Sequence, residues 1–310
     1  MKSLLQAAQE YISLRRSLGY KLIDVASLLK EFSSFMEREG APYITAKLAL
    51  QWAMKPRNVL PAHWSSRLSV VRRFAQYAKT MDPRNEVPPN GLLPHTYRRC
   101  NPHIYSDEEV LRLLQACTSL TCGNGLRRHT YYTVFGVLAV TGMRISELTA
   151  LSREDVNLTQ GIISVRETKS GKARLLPLHH STLQVLREYA RLRDQIHPKS
   201  GLSGFFLSDR GTCLTAWAIR WAFIRLSCRI GLRKPTDSHG PRIHDFRHSF
   251  AVKTMIKWYR EGVDVEKHIA LLSTYLGHVK PSDTYWYLSS VPELVGLAAT
   301  HLEKHLGGLR

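Results

Sequence analysis

The sequence predicts a mainly α-helical protein of two domains, the second of which contains a small β-sheet built on a hairpin. Three observations support this fold class. Apolar residues recur at helical spacing through the first hundred residues, a proline-rich segment follows, and two β-rich runs later flank a Ser-Gly turn. We therefore expect a helical domain over 1–82, a linker over 83–104 and a mixed α+β domain over 105–310.

The first domain is predicted to contain four helices. Apolar stripes mark a first helix that Gly19 ends and a second helix that Gly40 ends. Two further helices are expected over Ala46–Ala53 and Trp64–Ala78.

The chain is strongly basic. It holds 44 Lys and Arg against 25 Asp and Glu, and the net charge of +19 divides into +9 for residues 1–104 and +10 for residues 105–310. A surplus of this size needs a polyanionic partner, with nucleic acid first and an anionic membrane surface second. The membrane alternative is weak, because the longest apolar run, Val134–Thr141, is far shorter than the ~20 residues that span a bilayer.

The cysteines and the N-terminus indicate the compartment. Five cysteines are scattered without a Cys-x-x-Cys pair, so neither a zinc finger nor a disulfide framework is expected. The first residues include Glu10, Arg15 and Arg16 and lack the apolar core of a signal peptide. We expect a protein of the cytoplasm, associated with the nucleoid and not with a membrane.

The fourth predicted helix carries candidate DNA-binding residues, Arg67, Arg72 and Arg73. A charged helix face is ordinarily explained by solvation alone. The segment Lys55–Arg99, however, holds nine basic and only two acidic residues, so we favour a surface that contacts phosphates.

The second domain begins at a capping box. Ser106 can cap a helix while Glu109 reaches back to it, directly after the proline-rich segment. Because both domains are basic and the linker between them is long, we expect the two domains to clamp a duplex.

Four segments of the second domain carry residues suited to phosphate chemistry. In the first, Gly142 breaks an apolar helix, and Arg144 and Glu147 then share one face of the next helix. In the second, two β-rich runs form a hairpin that presents Lys169 and Lys172 at its tip. A surface ion pair and a solubilising hairpin tip are the ordinary explanations of these two segments taken alone.

The third and fourth segments supply histidines and a tyrosine. His244 and Arg247 lie on one helical face, and the nearby His248 is interpreted as a structural residue. Farther on, a Leu-Gly-His sequence ends at His278, and Tyr287 follows nine residues later. For the aromatic residues around this tyrosine, a core stripe is the ordinary explanation.

Taken together in this order, the four segments resemble the tyrosine recombinase family of phage integrases and Xer-like recombinases. The resemblance covers the chain from about Tyr105 onward, and the basic helical first domain fits the family's SAM-like core-binding domain. It implies a site-specific recombinase that cleaves and rejoins DNA through a 3′-phosphotyrosine, in integration or excision of a mobile element or in Xer-like resolution. It also implies a homotetramer on two double-stranded core sites, formed alone or with sister recombinases.

The resemblance implies a role for each residue. The catalytic residues would be Arg144, Lys169, His244, Arg247, His278 and Tyr287. Tyr287 would attack phosphorus, Lys169 would protonate the departing 5′ oxygen, and Glu147 would support the first arginine. Neither a metal nor ATP is expected, since the sequence shows no phosphate-binding Gly-x4-Gly-Lys loop and no His-Glu-x-x-His motif.

Several alternatives stay open at this point. A type IB topoisomerase shares phosphotyrosine chemistry, and a catalytically silent DNA-binding protein or a basic protein without enzymatic activity would share the charge. Tyr285 is a second candidate for the nucleophile. The segment from Leu294 to Arg310 is predicted to be an amphipathic helix, which docks either on the chain's own core or, as the family favours, on a neighbouring subunit. We expect no additional arm-binding domain before the first helix.

Overall fold

The structure is a computed structural model, which describes residues 3–94, 101–121, 123–166, 173–198, 201, 203–237, 240–289 and 292–307. The chain divides into two compact units, Met1–Cys100 and Asn101–Arg310. The mainly helical fold with a small sheet is confirmed.

The described residues of the first unit, 3–94, form four helices. They are α1 (Leu4–Ser17), α2 (Ile23–Arg38), α3 (Ala46–Met54) and α4 (Pro61–Met81). A capping box between Ser3 and Gln6 starts α1, and the Thr45 hydroxyl caps α3. The core lies where the four helices meet, around the fully buried rings of Phe32, Trp52 and Phe74.

The first part of the predicted linker packs onto this unit, which corrects the expectation of an extended connection. The side chain of Asn85 accepts a hydrogen bond from the Ile44 amide at 2.9 Å. The guanidinium of Arg72 donates to the carbonyls of Pro88 and Pro89 at 2.7 and 2.8 Å. Proline lacks an N–H but keeps its carbonyl, so a proline-rich segment can still be held by an arginine fork. Residues 95–100 lie outside the described part of the chain.

The second unit contains nine helices among its described residues. They are α5 (Asp107–Cys117), α6 (Leu126–Thr141), α7 (Ile145–Ala150), α8 (His180–Ile196), α9 (Ala216–Arg229), α10 (His244–Arg260), α11 (Val265–Leu276), α12 (Ser282–Tyr285) and α13 (Pro292–Gly307). A 3₁₀ turn, Trp286–Ser289, continues α12. The predicted capping box starts α5, with Glu109 N donating to Ser106 Oγ at 3.1 Å.

A three-stranded antiparallel sheet follows α7. Its strands, in spatial order, are β1 (Val156–Asn157), β2 (Ile162–Val165) and β3 (Arg174–Pro177). Val165 pairs with Arg174 at the end of β2 and β3 that is next to the hairpin tip. The hairpin tip, residues 167–172, lies outside the described residues, and with it both predicted lysines.

Two apolar clusters form the core of the second unit. The larger one surrounds α6, where Phe135 contacts the rings of Phe223 and Phe246. The smaller one joins α10 and α11 to the C-terminal segment and includes the buried side chains of Tyr287 and Leu294. Within the described ranges, no helix is long and apolar enough to cross a bilayer.

Candidate active site

Two glycine turns meet in the second unit, and two arginines lie between them. Gly142 ends α6 and Gly277 ends α11, both with the positive φ that favours glycine. Arg247 of α10 bridges the turns, because it donates to the Gly142 carbonyl at 2.9 Å and to the Leu276 carbonyl. Arg144 donates to the next carbonyl along, that of Gly277, at 3.3 Å. Both guanidinium groups are therefore fixed at one place.

The carboxylate of Glu147 fixes Arg144 through two hydrogen bonds. Its Oε2 accepts the Arg144 amide and its Oε1 accepts Arg144 Nη1, both at 2.8 Å. Burial alone would raise the pKa of Glu147, but the hydrogen bonds from Arg174 and Arg144 outweigh this effect and hold the pKa below its ordinary value. Glu147 is therefore a carboxylate at neutral pH although its side chain is 1% exposed.

Arg174, the first residue of β3, is the second partner of Glu147. Its Nη1 and Nη2 donate to the two carboxylate oxygens at 3.1 and 2.8 Å, and its Nε donates to the Tyr275 carbonyl at 2.6 Å. The guanidinium lies so close to the second glycine turn that a Cβ at Gly277 would stand 2.8 Å from Nη1. Glycine is needed there for space as well as for its φ of 69°.

The site carries an excess of positive charge. The guanidinium groups of Arg144, Arg174 and Arg247 face one carboxylate, that of Glu147. Burial and, after it, the positive charge of Arg144 together lower the pKa of Arg247 to about 10. Arg247 stays charged at neutral pH, so this arrangement favours an anionic ligand.

Three histidines lie beside these arginines. Burial, followed by the charges of neighbouring groups such as Arg247, lowers the pKa of His244, His248 and His278 to about 4 in each case. His244, the first residue of α10, remains exposed to solvent, although its ring is surrounded in part by protein atoms. All three imidazoles are neutral at pH 7.

His278 and His248 bracket the ring of Tyr287. The His278 ring stacks on it with centroids 6.0 Å apart, and the His248 ring meets it at a steep angle at 5.3 Å. His278 Nδ1 shares a hydrogen bond of 2.6 Å with the buried hydroxyl of Thr284, which fixes the imidazole. Tyr287 itself is 2% exposed.

Tyr285 lies in a different environment from Tyr287. Half of its surface is exposed to solvent. Its backbone belongs to the short helix α12, whereas Tyr287 belongs to the 3₁₀ turn that follows. Residues two apart on such a segment point to roughly opposite sides. Ser282 is the first residue of this helix, and Pro281 precedes it as the N-cap residue.

The structure brings together five of the six predicted catalytic residues. These are Arg144, His244, Arg247, His278 and Tyr287. The predicted supporting residue Glu147 joins them, while Lys169 lies outside the described residues, as does Lys172. Among the described residues, no group of three His, Cys, Asp or Glu side chains is arranged to hold a metal ion.

Of the predicted DNA-binding arginines, Arg67 is placed differently from the expectation. It is buried in the first unit, where it forms a forked ion pair with Glu31 at 2.8 and 3.3 Å and lies 3.8 Å from the ring centroid of Trp52. The side chain is only 5% exposed and both of its terminal nitrogens bind Glu31, so the structure places Arg67 in the core of the helical unit and not on its surface. Arg72 is partly buried against the proline carbonyls, and Arg73 is exposed.

Sequence reasoning missed Arg174 as a residue of the site. The motif that contains it was interpreted as a hairpin strand, and a lone arginine in a strand carries no signal by itself. A signal was available in the antiparallel pairing, which sets Arg174 directly after the lysine-bearing tip. His248 is interpreted from the sequence as structural, and in the structure its ring lies beside that of Tyr287, the predicted nucleophile.

Comparisons with known proteins agree with this geometry. Residues 104–293 match the Phage integrase family. The protein y4rB of Sinorhizobium fredii (strain NBRC 101917 / NGR234), named as an integrase/recombinase, is 44% identical over 308 residues, 98% of each chain. Tyrosine recombinase XerD of Staphylococcus saprophyticus (strain ATCC 15305) is 28% identical over 294 residues, which cover 93% of this chain and 94% of the relative.

Solved structures show the same fold. The Tn1549 transposon integrase in complex with transposon right end DNA aligns with a TM-score of 0.68 at 16% identity, over 98% of this chain and 99% of that chain. The crystal structure of XerA recombinase aligns with a TM-score of 0.51 at 23% identity, over 96% and 97%.

The chain belongs to the phage integrase family, the tyrosine-type site-specific recombinases. It is accordingly an enzyme of DNA cleavage and strand transfer, and the predicted family resemblance is confirmed.

Proposed function

We propose that this chain recombines duplex DNA at two core sites through a covalent 3′-phosphotyrosine on Tyr287. The observation that carries the proposal is the convergence of Arg144 and Arg247 at one place, with neutral histidines beside them and a buried tyrosine between two of those histidines. The proposal assigns roles to individual residues, including Lys169, which lies outside the described part of the chain.

The two arginines bind and activate the phosphodiester. Each guanidinium can offer two parallel N–H donors to non-bridging oxygens, which matches phosphate geometry. Negative charge on those oxygens grows as the pentavalent transition state forms, so fixed positive groups stabilise the transition state more than the ground state. The carbonyls that hold Arg144 and Arg247 keep both groups in place before DNA arrives.

The neutral histidines supply hydrogen bonds and take up a proton. Thr284 occupies Nδ1 of His278, which leaves Nε2 for the phosphate or the nucleophile. A phosphodiester next to His244 and His278 would raise their pKa values from about 4, because its negative charge favours the imidazolium. Either imidazole can then accept the phenolic proton.

The covalent step conserves the bond energy of the strand. The phenolic oxygen of Tyr287 forms a bond to phosphorus, its proton passes to an imidazole, and the bond from phosphorus to the 5′ oxygen breaks. Lys169 would give the departing 5′ oxygen its proton. A 5′-hydroxyl of the other strand reverses these steps and releases Tyr287.

Both units supply basic surface for DNA. The charge of +19 divides almost evenly over the chain, and Arg73 is an exposed candidate contact in the first unit. The integrase of Tn1549 is bound to transposon right end DNA and a lambda integrase tetramer to a Holliday junction. By the same logic we propose that this chain acts as a homotetramer on two sites in the cytoplasm, at the nucleoid. Its outcome would be integration, excision or Xer-like resolution.

A trapping experiment tests the proposed function. A binding site is first selected from a random duplex pool with the full-length protein, and the selected duplex is then nicked so that the cleaved end diffuses away. We expect an SDS-resistant protein–DNA adduct with the wild-type chain and none with Tyr287→Phe at equal DNA binding. A wild-type chain that binds the duplex and never forms the adduct would contradict the proposal.

A second assay separates recombination from topoisomerase activity. A supercoiled plasmid carrying two copies of the selected site should yield products that join the two sites. Relaxation of the plasmid without joined products would instead favour a type IB topoisomerase.

A further inference from the structure

We propose that Arg174 is a positioning residue, which neutralises Glu147 so that Arg144 keeps its positive charge for the phosphate of the DNA. This inference rests on the proposed function and adds to it a residue outside the catalytic set. It is carried by the hydrogen bonds of Arg174, by the charge balance of the site and by the space at Gly277.

The first step is that the guanidinium of Arg174 is held inside the protein and is less accessible than that of Arg144. All three of its nitrogens donate inside the protein, two to the carboxylate of Glu147 and one to the carbonyl of Tyr275. Its side chain is 8% exposed, whereas that of Arg144 is 25% exposed. Arg144 is therefore the arginine of this pair that can reach a phosphate, and Arg174 acts through other residues.

The second step concerns the charge on Glu147. If Arg144 were its only partner, the buried carboxylate would cancel the charge of the phosphate-binding arginine. With Arg174 in place, three guanidinium groups and one carboxylate leave two positive charges. A phosphodiester brings one negative charge, and its pentavalent transition state develops about two. Counted over the described residues of the site, this surplus of positive charge therefore stabilises the transition state more than the ground state.

The third step is that Arg174 also supports the turn of the Leu-Gly-His segment. It binds the carbonyl of Tyr275, and the backbone of Gly277 passes close over its guanidinium. The Gly277 carbonyl accepts from Arg144, and the next residue is His278. One side chain thus connects strand β3 to the turns that position both residues.

A charge series in the full-length protein tests the proposal with the nicked duplex obtained by selection. The rate of adduct formation is measured at saturating DNA, and the DNA dissociation constant is measured separately. Arg174→Gln should lower the rate by about 10²-fold, the usual scale for losing one transition-state electrostatic contact, and should change DNA affinity much less. Arg174→Lys keeps the positive charge but not the forked pair of N–H donors, so its rate of adduct formation should lie between those of the wild-type chain and Arg174→Gln.

The decisive comparison is a double variant. Arg174→Gln combined with Glu147→Gln removes both charges of the pair, so the charge on Arg144 is no longer cancelled. We expect the double variant to form the adduct at least about tenfold faster than Arg174→Gln does, which corresponds to a coupling free energy of about 1.4 kcal/mol. Arg174→Gln alone should also speed up as the pH falls, because protonation of Glu147 then has the same effect as its replacement.

Controls make each outcome decisive. Arg187 likewise donates its guanidinium to a carbonyl, that of Leu158, but is exposed, so Arg187→Gln should leave the rate unchanged. The unfolding midpoint of each variant shows that it is folded at the assay temperature, and Arg174→Met, which also removes the charge, replaces Arg174→Gln if the latter is not folded. A double variant as slow as Arg174→Gln, with no acceleration at lower pH, would assign Arg174 a purely structural role. Failure of the wild-type chain to form any adduct would contradict the proposed function instead.

Discussion

Replacing Gly277 with alanine should destabilise the second unit more than the same change at a matched glycine. Gly277 and Gly262 both follow a helix, with φ of 69° and 71°. A side chain in this left-handed region costs roughly 1–2 kcal/mol at either position. The surroundings differ, because a Cβ at Gly277 stands 2.8 Å from Arg174 Nη1 whereas one at Gly262 meets no described atom within 4 Å.

The additional cost at Gly277 follows from the contacts of Arg174. To make room, the guanidinium must give up hydrogen bonds to Glu147 or to the Tyr275 carbonyl. A hydrogen bond to a charged group contributes about 1.5–3 kcal/mol, so we expect a total loss of about 3–5 kcal/mol for Gly277→Ala. Domains of this size lose about 2–4 °C of melting temperature per kcal/mol. The expected shift is thus about 10 °C for Gly277→Ala and about 4 °C for Gly262→Ala.

Scanning calorimetry of the full chain measures both shifts, because it resolves transitions of units that unfold separately. The transition that Gly262→Ala moves identifies the second unit. Equal shifts for the two variants would refute the close approach of Arg174 to the turn.

Three further predictions concern other parts of the molecule. Arg67→Ala should lower the melting temperature of the first unit, because it removes the forked ion pair with Glu31. Arg73→Ala, at an exposed position, should leave stability unchanged and reduce the salt slope of DNA binding by about 0.9. Loss of DNA affinity without loss of stability in Arg67→Ala would contradict this prediction. The free energy of unfolding should fall as the pH drops from about 6.5 to about 4, because the unfolded chain then binds protons that His248 and His278 exclude when folded. His248→Phe should flatten that dependence in urea titrations, and an unchanged slope would disagree with it. Leu294→Ala should destabilise the single chain by about 2–5 kcal/mol, because Leu294 is fully buried in the core of the second unit. Val295→Ala, at a half-exposed position, should affect only assembly on paired sites. Urea unfolding measures the first effect and sedimentation the second.

The parts of the site that sequence predicted are those encoded by local spacing. A glycine that ends a helix places Arg144, and the three-residue step from His244 to Arg247 sets one helical face. The nine-residue step to Tyr287 selects one of two tyrosines, which the structure separates by burial. Such patterns can be recognised in the sequence because helix geometry puts residues three or four apart on one face without any long-range contact.

The parts that sequence did not predict depend on long-range contacts. Arg67 was expected on the surface, but its helix turns that position toward Glu31 and Trp52, which lie on two other helices. Arg174 is 27 residues from Glu147 along the chain, and only the sheet brings it to α7. Charge alone does not reveal whether an arginine faces a phosphate or a buried carboxylate.

The central claim is that Tyr287 forms the covalent bond to DNA, and peptide mapping of the trapped adduct tests it most directly. The adduct formed on the nicked selected duplex is digested with protease and nuclease, and mass spectrometry locates the residual nucleotide. Tyr285 and Tyr287 are separated by one residue, so the modified tyrosine must be assigned by fragmenting the peptide in the mass spectrometer. Tyr285→Phe serves as the matched control, because it should still form the adduct. We expect a modified Tyr287 in the wild-type chain and in Tyr285→Phe. A nucleotide attached to Tyr285, or an adduct that persists in Tyr287→Phe, would contradict it.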